Sequence, residues 1–313
     1  MKKIKTVTLV GLGAIGAAYG SRLQQFLGES FKVVADTERV KRYTEQGIRV
    51  NGEEVPFRYI SSTEPAEPAD LVIFAVKNAE LPQAIENARN HIGENTIILS
   101  LLNGVSSEEE IRRATGNAHI LYSMCVEIAA VRDGQNIHYH SIGRICFGDK
   151  EQYGTKDEEA VRSLFEDAGI PYEIPQDIMH TIWAKFMFNV GINQTSAVLK
   201  ARYHVFQQLK DAHEWVESAM YEVVKVAERE GIHLTEKDVH SYRPILHNLS
   251  PDGQTSMLQD VVAKRKTEVE YFAGKVCELG KKHGIPTPVN EQLYKIIRIM
   301  EQSYYIHSPE RSN

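Results

Sequence analysis

At 313 residues the chain is longer than one ordinary core accommodates, so two domains are expected. Apolar residues make up 42% and charged residues 25%, the balance of a globular protein, and a net charge of -6 gives no support for nucleic-acid binding. The three cysteines, Cys125, Cys146 and Cys277, form neither a CxxC pair nor a zinc pattern, so reduced intracellular thiols are expected.

The opening MKKIKTVTLVG is basic, but its apolar run stops at a glycine turn after a few residues. It reads as a first strand and not as a signal peptide. No apolar run approaches the roughly 20 residues needed to span a bilayer, and a cytoplasmic location is expected. Strand 6–10 leads into Gly11-Leu12-Gly13-Ala14-Ile15-Gly16 and a helix over 17–26. Strand 31–35 precedes a helix over 37–46 that Gly47 stops. Segment 48–60 holds the alternating pieces IRV and VPFRYI around Asn51-Gly52, a hairpin signal. Strand 70–76 is followed by a helical stretch through His91, strand 96–101 and a short helix over 106–113. Segment 120–128 continues the sheet, 136–140 and 144–147 look like an antiparallel pair, 157–168 is helical, and 171–174 is a last strand before Pro175. Strands that alternate with helices and are apolar on both faces predict an α/β domain with a doubly wound parallel sheet of the Rossmann type. Beyond it only helices are expected, over 178–199, 209–230, 257–283 and 289–304. The expected division is therefore a dinucleotide-binding domain over 1–176 and an all-helical domain over 177–313, whose tail 308–313 should fray.

The glycine motif lies between a strand and a helix, the context that raises GxGxxG above chance. Its first glycine permits a tight turn, the second admits a pyrophosphate, and the third lets helix and strand pack closely. The helix N-terminus adds free N–H groups and partial positive charge. Asp36, at the end of the second strand, is placed to bond the adenosine ribose hydroxyls and argues for NAD(H). Arg39, Lys41 and Arg42 follow closely, and a turn that brought Arg39 beside a 2′-phosphate would favour NADP(H) instead. Lys77 and Asn103, with Gly104, follow adjacent strands, where ligands of an open parallel sheet bind.

In the helix over 178–199, Lys185, Asn189 and Asn193 recur at i, i+4 and i+8 on nearly one face. An apolar belt of Ile182, Trp183, Phe186, Met187, Phe188, Val190 and Ile192 surrounds them. A charge in such company needs a partner or a wet cleft; the plainer reading is a lysine that snorkels to water.

Taken together, Gly11 to Gly16, AVK ending at Lys77, LNG at Asn103 and WAKFMFNVGINQTSAV around Lys185 resemble ketopantoate reductase. So do SMLQD from Ser256 to Asp260, RKTEVE from Arg265 through Glu268, and HGIPTPVNEQL from His283, so the resemblance covers nearly the whole chain. It implies an NADPH-dependent 2-dehydropantoate 2-reductase of the pantothenate pathway, with Lys185 as proton donor and Asn189, Asn193 and Ser256 holding the substrate. It further implies that Lys77, Asn103 and Glu268 contact the cofactor or lie beside the reacting groups, and that Ala130 offers a backbone cofactor contact. The chain departs from the pattern at Asp36, where many relatives have arginine, at Gly253, where some have a substrate-facing asparagine, and at Glu127, where some have a small hydroxyl residue.

As a 2-oxo acid is reduced, negative charge grows on its carbonyl oxygen, which the Lys185 ammonium can bond and then protonate; a positioned acid of this kind contributes roughly 10²–10⁴-fold. Glu268 sits three helical turns after Ser256, so the two are expected to share a face of one helix, and Glu268 is the candidate to orient Lys185 or clamp the nicotinamide ribose. An ion pair of Glu268 with Lys264 or Arg265 is the plainer alternative, and Asp260 reads as structural. His138, His140 and His180 read as edge or helix-entry residues, and no set of side chains has metal-ligand spacing. The active site is expected in the cleft between the domains, and a homodimer through the helical domain is compatible with the pattern. Two rivals stay open: an NADH-dependent 2-hydroxy-acid dehydrogenase acting on another branched 2-oxo acid, and a non-catalytic NAD(P)-sensing regulator.

Overall fold

The structure, a computed structural model, describes residues 3–306 and divides into two compact units, Met1–Met179 and His180–Asn313. The tail 308–313 lies outside the described residues.

The first unit opens with β1 (Val7–Val10), α1 (Ala14–Leu27), β2 (Phe31–Ala35) and α2 (Thr37–Gln46). Short strands β3 (Arg49–Val50), β4 (Glu53–Glu54) and β5 (Tyr59–Ser61) follow, then β6 (Leu71–Phe74), α3 (Leu81–Ala88), β7 (Ile97–Ser100) and α4 (Ser107–Thr115). The unit continues with β8 (Ile120–Val126), β9 (Ala129–Asp133), β10 (Asn136–Ser141), β11 (Arg144–Gly148), α5 (Lys156–Asp167) and β12 (Tyr172–Glu173). Eight strands form one sheet in the order β12-β11-β8-β7-β6-β1-β2-β5, parallel from β5 to β8. Both of its faces are buried. Val7, Leu9, Leu71, Ile73, Ile97 and Leu99 feed one core with α1 and α5 residues, while Val10, Val72, Phe74 and Ile98 feed the other with α3 and α4 residues. That two-sided burial is why the strands read as continuous apolar runs. The strand order reverses between β1 and β6, so the loops after these two strands flank the crevice where doubly wound sheets take their ligands.

Two expectations about strand pairing are corrected. Segments 136–140 and 144–147 do not pair with each other: β10 pairs with β9 and β3, whereas β11 pairs with β8 and β12. Gly143 between them has φ +59, and a Cβ there would stand 2.0 Å from the Val126 carbonyl oxygen, so the chain crosses the end of β8 and changes sheets. The hairpin at Asn51-Gly52 is present, with both residues at positive φ, but its arms are only β3 and β4; Tyr59–Ser61 joins the large sheet parallel to β2. The small sheet β4-β3-β10-β9 packs on α1, where the Tyr19 hydroxyl donates to the Ile142 carbonyl at 2.6 Å.

The second unit is helical: α6 (Ile178–Leu199), α7 (Tyr203–Gln208), α8 (Lys210–Arg229), α9 (Glu236–Asn248), α10 (Ser256–Val262), α11 (Ala273–His283) and α12 (Pro288–Ile306). Its buried polar groups are satisfied across helices. The Glu222 carboxylate accepts the Val289 and Asn290 amides at 2.8 and 2.9 Å and so caps α12, and Gln194 Oε1 accepts the Ala273 amide at 2.9 Å to cap α11. The single helix expected over 257–283 is broken after Val262. Lys264 takes a positive φ of 52, and Glu301 holds the Thr267 amide and hydroxyl at 2.7 and 2.6 Å. Among the described residues no helix is long and apolar enough to cross a membrane.

Candidate functional site

In the first unit the site begins at the turn from β1 into α1. Gly11 has φ +106, and a Cβ there would stand 2.5 Å from the Ala75 carbonyl oxygen at the end of β6. A Cβ on Gly16 would stand 2.0 Å from the Gly11 carbonyl oxygen. At Gly13 the nearest atom would be the Ala75 oxygen, at 3.9 Å, so this glycine keeps one side open to a ligand rather than to the protein. Gly13 is also the N-cap of α1 and offers no side chain to it, which leaves the amides of Ala14, Ile15 and Gly16 as anion donors. A pyrophosphate fits this cradle. Leu12 completes the turn, and its carbonyl accepts from the guanidinium of Arg132 on β9, which also donates to Gly134 at 2.8 Å. Ala130, two residues earlier, is held in register with Tyr139.

From this turn a cleft of about 220 Å³ runs along the ends of β1 and β2, lined by Gly11, Leu12, Ala35, Asp36, Arg39 and Glu80 among others. Asp36 caps α2: its Oδ1 accepts the Arg39 amide at 2.8 Å. Arg39 Nη2 in turn donates to Glu80 Oε1 at 2.9 Å. The loops after β6 and β7 are tied together, because buried Asn78 donates to the Asn103 carbonyl at 2.9 Å. Lys77, exposed beside Asn78, and half-buried Asn103 are therefore brought together at the carboxyl ends of two adjacent central strands. Glu127, at φ 58, is turned outward to Arg144 at 2.7 Å.

In the second unit the half-buried face of α6 carries Lys185, Asn189, Ala184 and Phe188, whereas Phe186, Met187 and Val190 are fully buried. The Phe188 ring stacks on Tyr242 of α9 at 4.4 Å, which sets an aromatic wall one turn from Lys185. Asn193 is buried, and one turn further the Ser196 hydroxyl meets that of Thr255 at 2.6 Å. This bond brings the start of α10, and with it exposed Ser256, to the Asn193 end of the same face. The α10 N-cap is Thr255, whose hydroxyl accepts the Leu258 amide at 3.1 Å; Ser256 is the first helical residue.

Glu268 does not share a helix face with Ser256, because α10 ends at Val262 and Glu268 precedes a 3-10 turn over Val269–Tyr271. Arg265 pairs with Asp260 at 2.8 Å. At Gly253 a Cβ would lie 2.8 Å from the Tyr203 ring and 2.9 Å from the Ser250 carbonyl oxygen, so Tyr203 fills the room an asparagine would need. The sequence reading missed Asn78, Glu80 and Arg132. Asn78 and Glu80 lie just past the strand-end Lys77 at which that reading stopped, and Arg132 gave no signal because its partner is 120 positions away.

A glycine cradle at the reversal point of a doubly wound sheet defines a dinucleotide-binding protein with a separate helical unit. Two family profiles match the chain: "Ketopantoate reductase PanE/ApbA" over residues 7–152 and "Ketopantoate reductase PanE/ApbA C terminal" over residues 177–301. A 2-dehydropantoate 2-reductase of Aquifex aeolicus is 29% identical over 304 residues, which cover 94% of this chain and 96% of that protein. Among solved structures, a PanE/ApbA family ketopantoate reductase from Ralstonia eutropha JMP134 superposes with a TM-score of 0.83 at 24% identity, covering 95% and 99% of the two chains. The ternary structure of D-mandelate dehydrogenase with NADH and anilino(oxo)acetate is equally similar in fold, with a TM-score of 0.83 at 23% identity and the same coverage. The chain belongs to the ketopantoate reductase family, whose members are nicotinamide-dependent oxidoreductases.

Proposed function

We propose that the chain reduces ketopantoate to D-pantoate, the step that feeds pantothenate and coenzyme A synthesis, with Lys185 as proton donor. The observation that carries this reading is the pairing, in one chain, of the glycine cradle with a lysine–asparagine face on a helix whose Lys185 is surrounded by an apolar belt. The cofactor, when bound, supplies the hydride; the protein supplies position, electrostatics and a proton. Gly11, Leu12, Gly13, Ala14, Ile15 and Gly16 hold its pyrophosphate, Asp36 its adenosine ribose, and Lys77, Asn103, Ala130 and Glu268 its nicotinamide half. The Lys185 ammonium bonds the carbonyl oxygen of the 2-oxo acid and protonates it as charge develops there. Asn189, Asn193, Asn103 and Ser256 hold the hydroxyl and carboxylate without adding charge. A nucleotide-sensing regulator needs no such proton donor.

A second reading is an NADH-dependent 2-hydroxy-acid dehydrogenase acting on a different 2-oxo acid. It is favoured by the Phe188–Tyr242 wall beside Lys185 and by Tyr203 filling the room beside Gly253. Initial rates with ketopantoate, 2-oxoisocaproate and an aromatic 2-oxo acid, each with NADH and with NADPH, separate the readings. The first predicts the highest kcat/KM with ketopantoate. A preference of about tenfold or more for either other acid would replace it with the second, and cofactor binding without oxidation across all three acids would favour the regulator.

A further inference from the structure

Asp36, Arg39 and Glu80 close a charge triad at the β2 end of the cleft. Besides capping α2 through Oδ1, Asp36 sets its Oδ2 3.5 Å from Arg39 Nε, and Glu80 takes Arg39 Nη2 at 2.9 Å. All three side chains line the cleft and are 39–46% exposed, so they meet whatever enters it. The other bases of α2 are occupied on the helix surface: Lys41 lies 3.9 Å from Glu45, and the Arg42 guanidinium stands over the Tyr43 ring. Two carboxylates and one guanidinium leave the triad with one net negative charge. A ribose 2′-hydroxyl can donate to the Asp36 carboxylate. A 2′-phosphate carries about two negative charges, meets both carboxylates, and finds the Arg39 guanidinium of the triad already engaged on two of its edges.

We propose that Glu80 sets the cofactor preference: by holding Arg39 in an ion pair it keeps that guanidinium from a 2′-phosphate, and the chain takes NADH over NADPH. This rests on the reading that the glycine-turn unit binds a nicotinamide dinucleotide. It assigns to Glu80, beyond the end of β6, a discrimination that the residue after β2 is usually expected to carry alone.

The test is the dissociation constant of NADH and of NADPH, read from nicotinamide fluorescence on the full chain without any oxo acid. Wild type, Glu80→Gln and the double variant Glu80→Gln with Arg39→Ala are compared. Glu80→Gln keeps the size of an exposed side chain, so it preserves the fold. Wild type should bind NADH at least about tenfold more tightly than NADPH. Glu80→Gln should tighten NADPH by about fivefold or more while NADH stays within about twofold, and removal of Arg39 in that background should abolish the gain. A Glu80→Gln protein whose NADPH-to-NADH ratio equals that of wild type would overturn the role of Glu80 alone. A protein that binds neither cofactor would overturn the dinucleotide reading beneath it.

Discussion

At the scale of single residues the glycine turn separates two demands that one motif usually blends. Gly11 is required by the protein itself, because its φ of +106 and the Ala75 oxygen 2.5 Å from a Cβ exclude any side chain. Gly13 meets only that oxygen, at 3.9 Å, so a methyl group there crowds the ligand and not the fold. Gly13→Ala is therefore expected to keep the melting temperature of wild type while weakening NADH binding by about tenfold or more, and Gly11→Ala to lower both. Equal losses of stability in the two variants, seen by calorimetry, would contradict this division. The motif was legible because strand, glycines and helix are contiguous in sequence. Glu80 was not, because its meaning depends on Arg39, 41 positions earlier, and on a cleft that exists only once β2 and β6 are brought to the same end of the sheet.

At the scale of elements, local pattern served where an element carries its own ends and failed where a distant group ends it. Helix α6 is legible with its observed bounds, Ile178–Leu199, because its apolar belt recurs around the polar positions and neither proline nor a strand signal breaks it. The expected helix over 257–283 runs through Val262, but the chain leaves the helix there: Lys264 takes a positive φ, and the Glu301 carboxylate holds Thr267, a contact 34 positions long. Helix α9 was missed although Thr235 and Asp238 form a capping box that announces it; its polar composition and internal Pro244 masked the signal. The start of α10 offers an element-scale test. Thr255 caps the helix and bonds Ser196, so Thr255→Ala should cost about 1–2 kcal/mol in urea unfolding and also weaken the substrate by releasing Ser256 from the Asn193 end of the face. A loss below about 0.3 kcal/mol would mean that neither bond fixes α10.

At the scale of the whole molecule, two buried groups in the first unit give stability a predictable pH dependence. Burial pushes the Glu108 carboxyl up from 4.5 to about 7, although the Ser107 hydroxyl bonds it at 2.8 Å. Because its folded pKa is raised, its contribution is full below about pH 4.5 and is lost as pH rises through 7. His91, buried against the Thr8 hydroxyl at 3.1 Å, is pushed down from 6.5 to about 4, so its contribution is full above pH 6.5 and is lost as pH falls toward 4. Relative to wild type, Glu108→Gln should gain stability as pH rises across 4.5–7, and His91→Gln should gain as pH falls across 4–6.5. Urea unfolding at several pH values checks this, and profiles parallel to wild type would contradict it. The claim on which the functional account turns is that Lys185 gives the proton, and kcat of Lys185→Ala with ketopantoate and saturating cofactor tests it most directly. The account predicts a fall of at least about tenfold with the cofactor dissociation constant within about twofold of wild type; a variant that turns over as fast as wild type would contradict it.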